Sequence, residues 1–399
     1  MARRGSTRSE ARTPAVVFGD LTLVRPLARA GVPVIVAASN PRDPTLRSRH
    51  ARDVLIVPPI APSTERELLG ALCRAGDEIL RCSGSRPLFV YGSDPLLAFV
   101  YRHSEALSER FAMLLNRSEV AECLFDKQLF HAFASARGVL TPDTLSAEEP
   151  LEAARRLHGR VVIKPRMKDG SSQLLRGLMA GHKARVLALD ELLREPDARR
   201  HRDRLVIQEH LEAHVSDLVS YHGFADEGGR VLTEFCGRKL RTRPPSGGDS
   251  SFIELCDDPR LASVGRDTVE RLGIVGAFKL DFLRTARDEL VLLEANLRFT
   301  LWNYLGAASG ANVPLAAYRH LVEGLPPVPE TCRPRKRWVN LVLDLAARPE
   351  VNLSYRAWLA SLIATPKLYE LFAWDDPLPA AVWFEQALRR RYSVWRRSV

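Results

Sequence analysis

Short apolar runs alternate with mixed, helix-like stretches along the first 115 residues. This pattern predicts strands at 15–19, 32–38, 54–57 and 88–91, and a helix over 21–30 that stops at Gly31. Strands that alternate with helices favour a doubly wound parallel sheet, so residues 13–115 are predicted to form an α/β domain. The turn that begins at Gly19 lacks the further glycines of a dinucleotide-binding fingerprint.

Beyond residue 115 the pattern changes to longer helices and hairpins. Helical spacing covers 116–137, strands are predicted at 160–165 and 205–209, and 219–226 with 230–236 predict a hairpin. Two more strands fall near 275–297, and loops are expected at 168–172 and 242–249. From 307 the chain is predicted to be helical. After a linker at 333–337, residues 338–399 are expected to form a C-terminal helical extension packed on the body.

Composition excludes several classes of protein. With 46% hydrophobic and 27% charged residues the chain is ordinary for a globular protein. No apolar run reaches the ~18 residues of a membrane span, and no apolar signal-peptide core follows the charged N-terminus. The six cysteines show no CxxC spacing. We therefore expect reduced thiols and a cytoplasmic protein.

The net charge of +10 is concentrated at the two ends of the chain. Residues 1–12, expected to be a disordered basic tail, carry four Arg and one Glu, and residues 387–399 carry five Arg and no acid. A nucleic-acid-binding protein usually concentrates charge on a folded face, so no specific nucleic acid is expected. The tails are interpreted as solubilising, with weak peripheral membrane contact through the C-terminal one as the alternative.

The strongest candidate site is a hairpin near residue 287. If the turn is centred on 287–288, Asp281 lies opposite Glu294 and Lys279 lies opposite Asn296. Strand residues two apart share a face, so these four side chains would project together, with the opposed Cβ atoms ~5 Å apart. Two carboxylates and an amide oxygen suit Mg²⁺. The alternative is a surface hairpin whose acids pair with nearby arginines: Arg284, Arg287 and Arg298.

Two segments before this hairpin suit phosphate binding. Lys127 stands where a helix opens, and Lys164 ends a strand that precedes the small residues of 168–172. Backbone N–H groups in such a loop, together with an ammonium, can approach phosphate oxygens. Further on, Gln208 and Glu209 end a strand where a carboxylate could accept from an adenine amino group.

Taken in order, these residues resemble the ATP-grasp superfamily. The series runs from Lys127 through Lys164 and Glu209 to Asp281, and ends with Glu294-Ala-Asn296-Leu-Arg298. The resemblance is to the carboxylate–amine ligase type, similar to the carbamoyl-phosphate synthase large subunit and to D-aspartate ligase. It implies a two-lobed ATP-grasp domain over 116–325, with a flexible lid at about 140–225, after the α/β domain.

The resemblance also implies a role for each matching residue. Lys127 and Lys164 would hold the α- and β-phosphates of ATP, and Lys168, Gly170, Ser171 and Ser172 would close over the γ-phosphate. Glu209 and the backbone of the next residues would hold adenine, with Gln208 beside them as a further nucleotide-binding residue. Asp217 would hold the ribose, with Ser216 one step away. Asp281, Glu294 and Asn296 would bind one or two Mg²⁺ ions, for which Mn²⁺ could substitute. Arg298, with Lys239 or Arg241, would neutralise the transferring phosphate as catalytic residues.

The reaction implied is an ATP-dependent ligation of a carboxylate to an amine. The carboxylate is phosphorylated to an acyl phosphate, the amine attacks it, and ADP and phosphate leave. Substrate residues are expected within 40–50, 91–94 and 246–251, facing the crevice between domains. One alternative is another phosphoryl transfer or a carboxylation. A second is a nucleotide-binding protein of the membrane surface that does not turn over.

Overall fold

The computed structural model describes residues 12–145, 149–167, 175, 177–180, 182, 184–212, 214–245, 248–326, 332–333 and 336–395. Within these residues the strands form a parallel sheet, a small antiparallel sheet and a large mixed sheet. The mixed α/β class predicted from the sequence is confirmed. None of the described helices is long and apolar enough to cross a membrane.

The parallel sheet is the N-terminal α/β domain. Its four strands lie in the order β3-β2-β1-β4. They are β1 (Ala15–Phe18), β2 (Val34–Ala38), β3 (Asp53–Ile56) and β4 (Leu88–Tyr91), close to the predicted positions. The helices are α1 (Leu21–Ala28), α2 (Glu65–Ser83), α3 (Asp94–Arg102) and α4 (Ser104–Ser108), with a 3₁₀ turn at Pro44–Arg47. The strand order reverses between β1 and β4, so a crevice opens at their carboxyl ends.

The helix predicted over 116–137 is instead two helices, α5 (Ser118–Phe125) and α6 (Lys127–Ser135). Asp126 separates them because its backbone is extended and its carboxylate accepts the N–H groups of Gln128 and Leu129. An aspartate in this position caps the second helix and so favours a break over a continuous helix.

The small sheet is antiparallel and has the order β6-β5-β7. Its strands are β5 (Arg160–Pro165), β6 (Arg185–Ala188) and β7 (Leu205–Glu209). A 3₁₀ helix at Leu151–Leu157, α7 (Leu189–Arg194), α8 (Pro196–Arg200) and a 3₁₀ turn at Arg202–Arg204 accompany it. One sheet face packs on these helices through a separate apolar core that includes Val161, Ile163 and Ile207. The opposite face carries Val162, Lys164 and Gln208, because strand side chains alternate.

The large sheet has the order β12-β11-β8-β9-β10-β13-β14, in which β13 (Arg337–Val339) and β14 (Lys367–Tyr369) belong to the C-terminal extension. Its first five strands are β8 (Leu218–Ala225), β9 (Val231–Arg243), β10 (Asp249–Cys256), β11 (Gly276–Arg284) and β12 (Leu290–Asn296). The β8–β9 hairpin confirms the prediction for 219–236. A 3₁₀ turn at Val215–Asp217 precedes β8, and α9 (Pro259–Leu272) covers one face. On that face Tyr221, Phe278, Leu280 and Phe282 are buried.

The prediction of a purely helical C-terminal extension was incomplete. The extension does contain α12 (Leu341–Ala347), α13 (Tyr355–Ile363), α14 (Leu378–Trp395) and a 3₁₀ turn at Arg348–Val351. It also adds β13 (Arg337–Val339) and β14 (Lys367–Tyr369) to the large sheet, where β13 pairs with β10 and buries Trp338. Three-residue strands are too short to show a period of two, which is why the sequence pattern did not reveal them.

The remaining helices follow β12 and connect the large sheet with the N-terminal domain. They are α10 (Asn303–Ala308), α11 (Val313–Tyr318) and a π-helical turn at Arg319–Glu323. At the C-terminus α14 extends to Trp395, so most of 387–399 continues a helix rather than forming a tail. Residues 1–11 and 396–399 lie outside the described part of the chain. Arg12, the last residue of the predicted N-terminal tail, pairs with Glu323 at 3.1 Å.

Candidate active site

The β11–β12 hairpin has the register predicted for its polar residues. Lys279 pairs with Asn296 and Asp281 with Glu294. Beyond Asp281 the register shifts by one residue, so that Phe282 faces Leu292 and the turn is centred on Arg287 rather than between residues 287 and 288. The four polar side chains therefore share one face of the large sheet, and Phe282 takes the core face with its neighbours.

Asp281 is the centre of a hydrogen-bonded cluster on this face. Its Oδ1 accepts from the Ser220 hydroxyl at 2.6 Å and lies 4.0 Å from the Lys239 Nζ. Its Oδ2 lies 2.9 Å from the Lys279 Nζ and accepts a longer bond from Asn296 at 3.4 Å. We call Asp281, Glu294, Asn296, Lys239, Lys279 and Ser220 the acid–lysine cluster.

The electrostatics of the acid–lysine cluster keep Asp281 ionised. Burial opposes the charge of this side chain, but the two ammonium groups, Lys279 first and Lys239 second, lower its pKa to about 2. Burial in turn lowers the pKa of Lys279, against the attraction of Asp281. The two ammonium groups are balanced by the two carboxylates of the cluster, Asp281 and Glu294. A site that combines carboxylates with lysines suits an anionic ligand that brings its own cation.

The floor of the cluster is set by aromatic packing. The Trp302 indole, which is buried, stacks on His222 at 4.9 Å between ring centroids, and the Lys279 Nζ lies 5.4 Å from the Trp302 ring. A Cβ on Gly237 would come within 2.6 Å of Trp302. Gly237 is therefore needed for the indole to reach its place under Lys279.

The small sheet carries the residues predicted to bind nucleotide. The Lys164 Nζ donates to the Gln208 Oε1 at 2.8 Å, and Gln208 in turn donates to the Thr144 hydroxyl at 2.8 Å. Lys127 lies beside the same strand, where its Nζ donates to the backbone oxygen of Pro165 at 2.9 Å. The structure thus brings Lys127, Lys164 and Gln208 together around strand β5.

A cavity of about 250 Å³ lies against the small sheet. Arg160, Val186 and His210 line it from the small sheet and the segment that follows, and Pro244 lines it from the β9–β10 connection of the large sheet. The cavity therefore lies between the two lobes. Glu209 precedes His210 in the chain, and its carboxylate accepts the N–H of Asp143 at 2.9 Å.

Three other predicted site residues are engaged elsewhere. The Arg241 guanidinium forms two bonds to the buried Asp344 carboxylate, at 2.8 and 2.7 Å. Arg298 binds Asp94 of the N-terminal domain, at 2.6 and 3.1 Å. Asp217 accepts the backbone N–H of His214 at 2.8 Å. Each of the three would have to exchange these partners to contact a nucleotide. Lys168, Gly170, Ser171 and Ser172 lie outside the described residues.

Of the three segments predicted to bind substrate, one lies at the crevice and the other two contact the C-terminal extension. Gly92 and Asp94 lie at the crevice end of β4 and contact Arg298. In contrast, Ser48 donates to the buried Asp376 of the extension, so this part of 40–50 is covered. In the third segment, Ser251 donates to Asp344, while residues 246–247 lie outside the described part.

Two members of the acid–lysine cluster were not assigned a role from the sequence. Lys279 carried a usable signal, since it stands two residues before Asp281 on a strand and lysine is rare in this arginine-rich chain. Ser220 carried none, because it reaches Asp281 only through the pairing of β8 with β11. Strand pairing between segments 61 residues apart cannot be read from local spacing.

Comparison with known proteins identifies the fold. No family model matches the sequence, and no curated protein matches it. Among solved structures, the L-amino acid ligase of Bacillus licheniformis is similar with a TM-score of 0.58 and 13% identity, over 82% of this chain and 79% of that one.

Two further structures support the same fold. One is the biotin carboxylase domain of the Hydrogenobacter thermophilus 2-oxoglutarate carboxylase, which was solved with Mg-ADP and bicarbonate. Its TM-score is 0.59 and its sequence identity 14%, over 82% of this chain and 73% of that one. The other is the N5-carboxyaminoimidazole ribonucleotide synthetase of Thermus thermophilus, with a TM-score of 0.56 and 16% sequence identity over 81% of both chains. All three are ATP-grasp enzymes, and the present chain has the ATP-grasp fold.

Proposed function

We propose that this protein is an ATP- and Mg²⁺-dependent ligase that activates a carboxylate as an acyl phosphate and joins it to an amine, with release of ADP. The observation that carries this proposal is the acid–lysine cluster, in which an ionised Asp281 opposes Glu294 and is flanked by Lys279 and Lys239. The similar fold of an L-amino acid ligase supports the reaction class.

The residues present fit a magnesium ion. Asp281 and Glu294 would supply carboxylate oxygens and Asn296 an amide oxygen, the hard ligands that Mg²⁺ prefers. Three protein oxygens leave room for phosphate oxygens and water in a six-coordinate shell. A bound Mg²⁺ would screen the negative charge of the nucleotide phosphates.

The lysines would provide the remaining positive field. Lys239 and Lys279 stand beside Asp281 on the large sheet. Lys164 stands on the small sheet, and Lys127 of α6 lies beside the end of the same strand. Phosphoryl transfer to a carboxylate needs cations placed around the transferring oxygens before reaction. When nucleotide binds, we expect Lys164 to exchange its bond to Gln208 for a phosphate oxygen.

Adenine would occupy the cavity between His210 and Pro244. The location of this cavity between the lobes would give the base contacts on two sides. The acyl phosphate would then form towards the carboxyl end of β4, where Asp94 holds Arg298. Released from Asp94, the Arg298 guanidinium could stabilise charge on the acyl phosphate.

An ADP-release screen that crosses amino acids with small carboxylic acids tests the proposal. We expect ADP only when Mg²⁺, a carboxylate and an amine are all present. A parallel arm with bicarbonate as the carboxylate and no amine tests the alternative of a carboxylase. ADP formation in that arm at the full rate would replace the ligase assignment with a carboxylase assignment, and no ADP in any arm would refute both.

A further inference from the structure

The C-terminal extension exposes an unusual amount of apolar surface. Of the seventeen large hydrophobic side chains exposed among the described residues, eleven lie between 341 and 388. Trp374 is 90% exposed and Ile363 82% exposed. Isolated exposed hydrophobic residues are normal on a soluble protein, but a concentration in one short segment marks an interaction surface.

The exposed residues follow helical spacing on both long helices of the extension. On α13, Tyr355, Leu359 and Ile363 are four residues apart and therefore form one outward stripe. No residue of α13 is fully buried. A helix normally turns its apolar stripe towards the core, so an outward stripe indicates a partner.

Helix α14 repeats this arrangement beside a block of positive charge. Leu378, Phe384 and Leu388 are each more than half exposed and lie within about 120° of one another around the helix axis. Its inner side packs on the 3₁₀ turn at Pro44–Arg47, and Gln386 donates to the Arg42 carbonyl oxygen. Because the inner side is already anchored to the body, the outer stripe is available to a ligand.

Charge identifies the kind of partner. Arg389 and Arg390 are exposed at the end of the apolar stripe, and residues 387–399 carry five Arg and no acid. The Glu385 carboxylate accepts from Arg389 at 2.5 Å and offsets one of these charges. An apolar stripe with an exposed tryptophan and an adjacent arginine block complements an anionic lipid surface, which accepts both apolar side chains and positive charge.

We propose that the outer side of α14, together with Trp374, binds the surface of an anionic lipid bilayer. The helix would lie in the plane of the headgroups, with Phe384 and Leu388 inserted and the arginines at the phosphate level. This peripheral binding would localise the protein and does not depend on the reaction proposed above. A protein partner or a second copy of the chain are the competing occupants that the experiment must separate.

Co-sedimentation of the full-length protein with lipid vesicles tests the proposal. We expect binding to phosphatidylcholine vesicles that contain about one third phosphatidylglycerol, and little binding to pure phosphatidylcholine. Phe384→Ser with Leu388→Ser should lower the partition coefficient at least tenfold, since about two inserted side chains are lost. Arg389→Gln with Arg390→Gln should lower it by roughly fivefold per charge on the anionic vesicles.

Ile56→Ser is the matched control, because Ile56 is similarly exposed (49%) but lies on the edge strand β3 of the N-terminal domain. Its partition coefficient should equal that of the unmodified protein. All variants change exposed side chains, and unchanged thermal unfolding would verify their folds.

Three results would overturn the proposal. The first is equal binding by the Phe384/Leu388 double variant. The second is no preference for anionic vesicles. The third is that, without lipid, the unmodified protein sediments as a dimer and the Phe384/Leu388 double variant as a monomer in sedimentation velocity. A second copy of the chain would then cover the stripe.

Discussion

The buried ion pair between Arg25 and Asp376 should decide whether the C-terminal extension is a structural part of the body. Arg25 lies on α1 with 0% exposure, and its guanidinium donates to Asp376 at 3.1 Å and to the backbone oxygens of Glu370 and Leu371. Asp376, at 1% exposure, also accepts from Ser48 at 2.7 Å. One pair therefore joins the extension to two elements of the N-terminal domain.

Removal of the charge at Asp376 should be costly. Asp376→Asn keeps the volume of the side chain but removes the carboxylate that is hydrogen-bonded to the buried Arg25 guanidinium, and breaking a buried ion pair costs about 3–5 kcal/mol. The bonds from Arg25 to backbone oxygens remain, so we expect the lower end, about 3 kcal/mol. The neighbouring Asp375 is the control. It pairs with Arg29 at the surface, and Asp375→Asn should cost about 1 kcal/mol or less.

Native-state amide hydrogen exchange measures this cost locally. The free energy of opening for the 370–376 segment and for α1 should fall by about 3 kcal/mol in Asp376→Asn and change little in Asp375→Asn. The double variant Arg25→Met with Asp376→Leu should recover much of the loss, because no buried charge is then unpaired. Equal protection in the two single variants would refute the account, since the extension would then be held by other contacts.

Three further predictions concern the site and the extension. Glu294→Gln should abolish ADP release with little change in unfolding temperature, whereas the control Glu289→Gln, at the exposed hairpin turn, should retain activity. Near-normal activity of Glu294→Gln at saturating Mg²⁺ would refute the metal assignment. Gly237→Ala should lower the free energy of unfolding by about 1–3 kcal/mol and reduce turnover, because the new Cβ displaces Trp302 from beneath the lysines. An unchanged free energy of unfolding in urea would contradict that packing. Burial, with the nearby Asp20 as a second cause, raises the pKa of Glu370 to about 7, so its ionisation should destabilise the fold as pH rises from about 4.5 to about 7. Glu370→Gln should therefore be more stable than the unmodified protein at pH 8, by up to about 3 kcal/mol, and similar at pH 4; parallel curves of unfolding temperature against pH would contradict this.

The sequence pattern predicted those parts of the fold that depend on residues close together in the chain. The strands of the N-terminal domain have apolar runs bounded by turn residues, and the β11–β12 hairpin places its polar residues at a spacing of two around a short turn. Asp281 and Glu294 could be found together for this reason. The register shift of one residue beyond Asp281 did not separate them.

Features that depend on distant contacts could not be predicted. Ser220 joins the acid–lysine cluster through strand pairing, and Trp302 enters it from the segment after β12. The side-chain partners of Arg241 and Arg298 come from the extension and from the N-terminal domain. Those partners are acids more than 100 residues away in sequence, which no local motif could have identified.

The acyl phosphate is the central claim of the proposed function, and isotope transfer tests it most directly. The carboxylate and amine that give ADP in the screen would be used again, with the carboxylate labelled with oxygen-18. If the carboxylate attacks the γ-phosphate and the amine then displaces phosphate, one labelled oxygen leaves with each phosphate released, because the carbon–oxygen bond breaks in the second step. Mass spectrometry of the inorganic phosphate should therefore show one oxygen-18 per molecule. Phosphate without label, at a normal rate of ADP release, would contradict the acyl phosphate and with it the ligase mechanism.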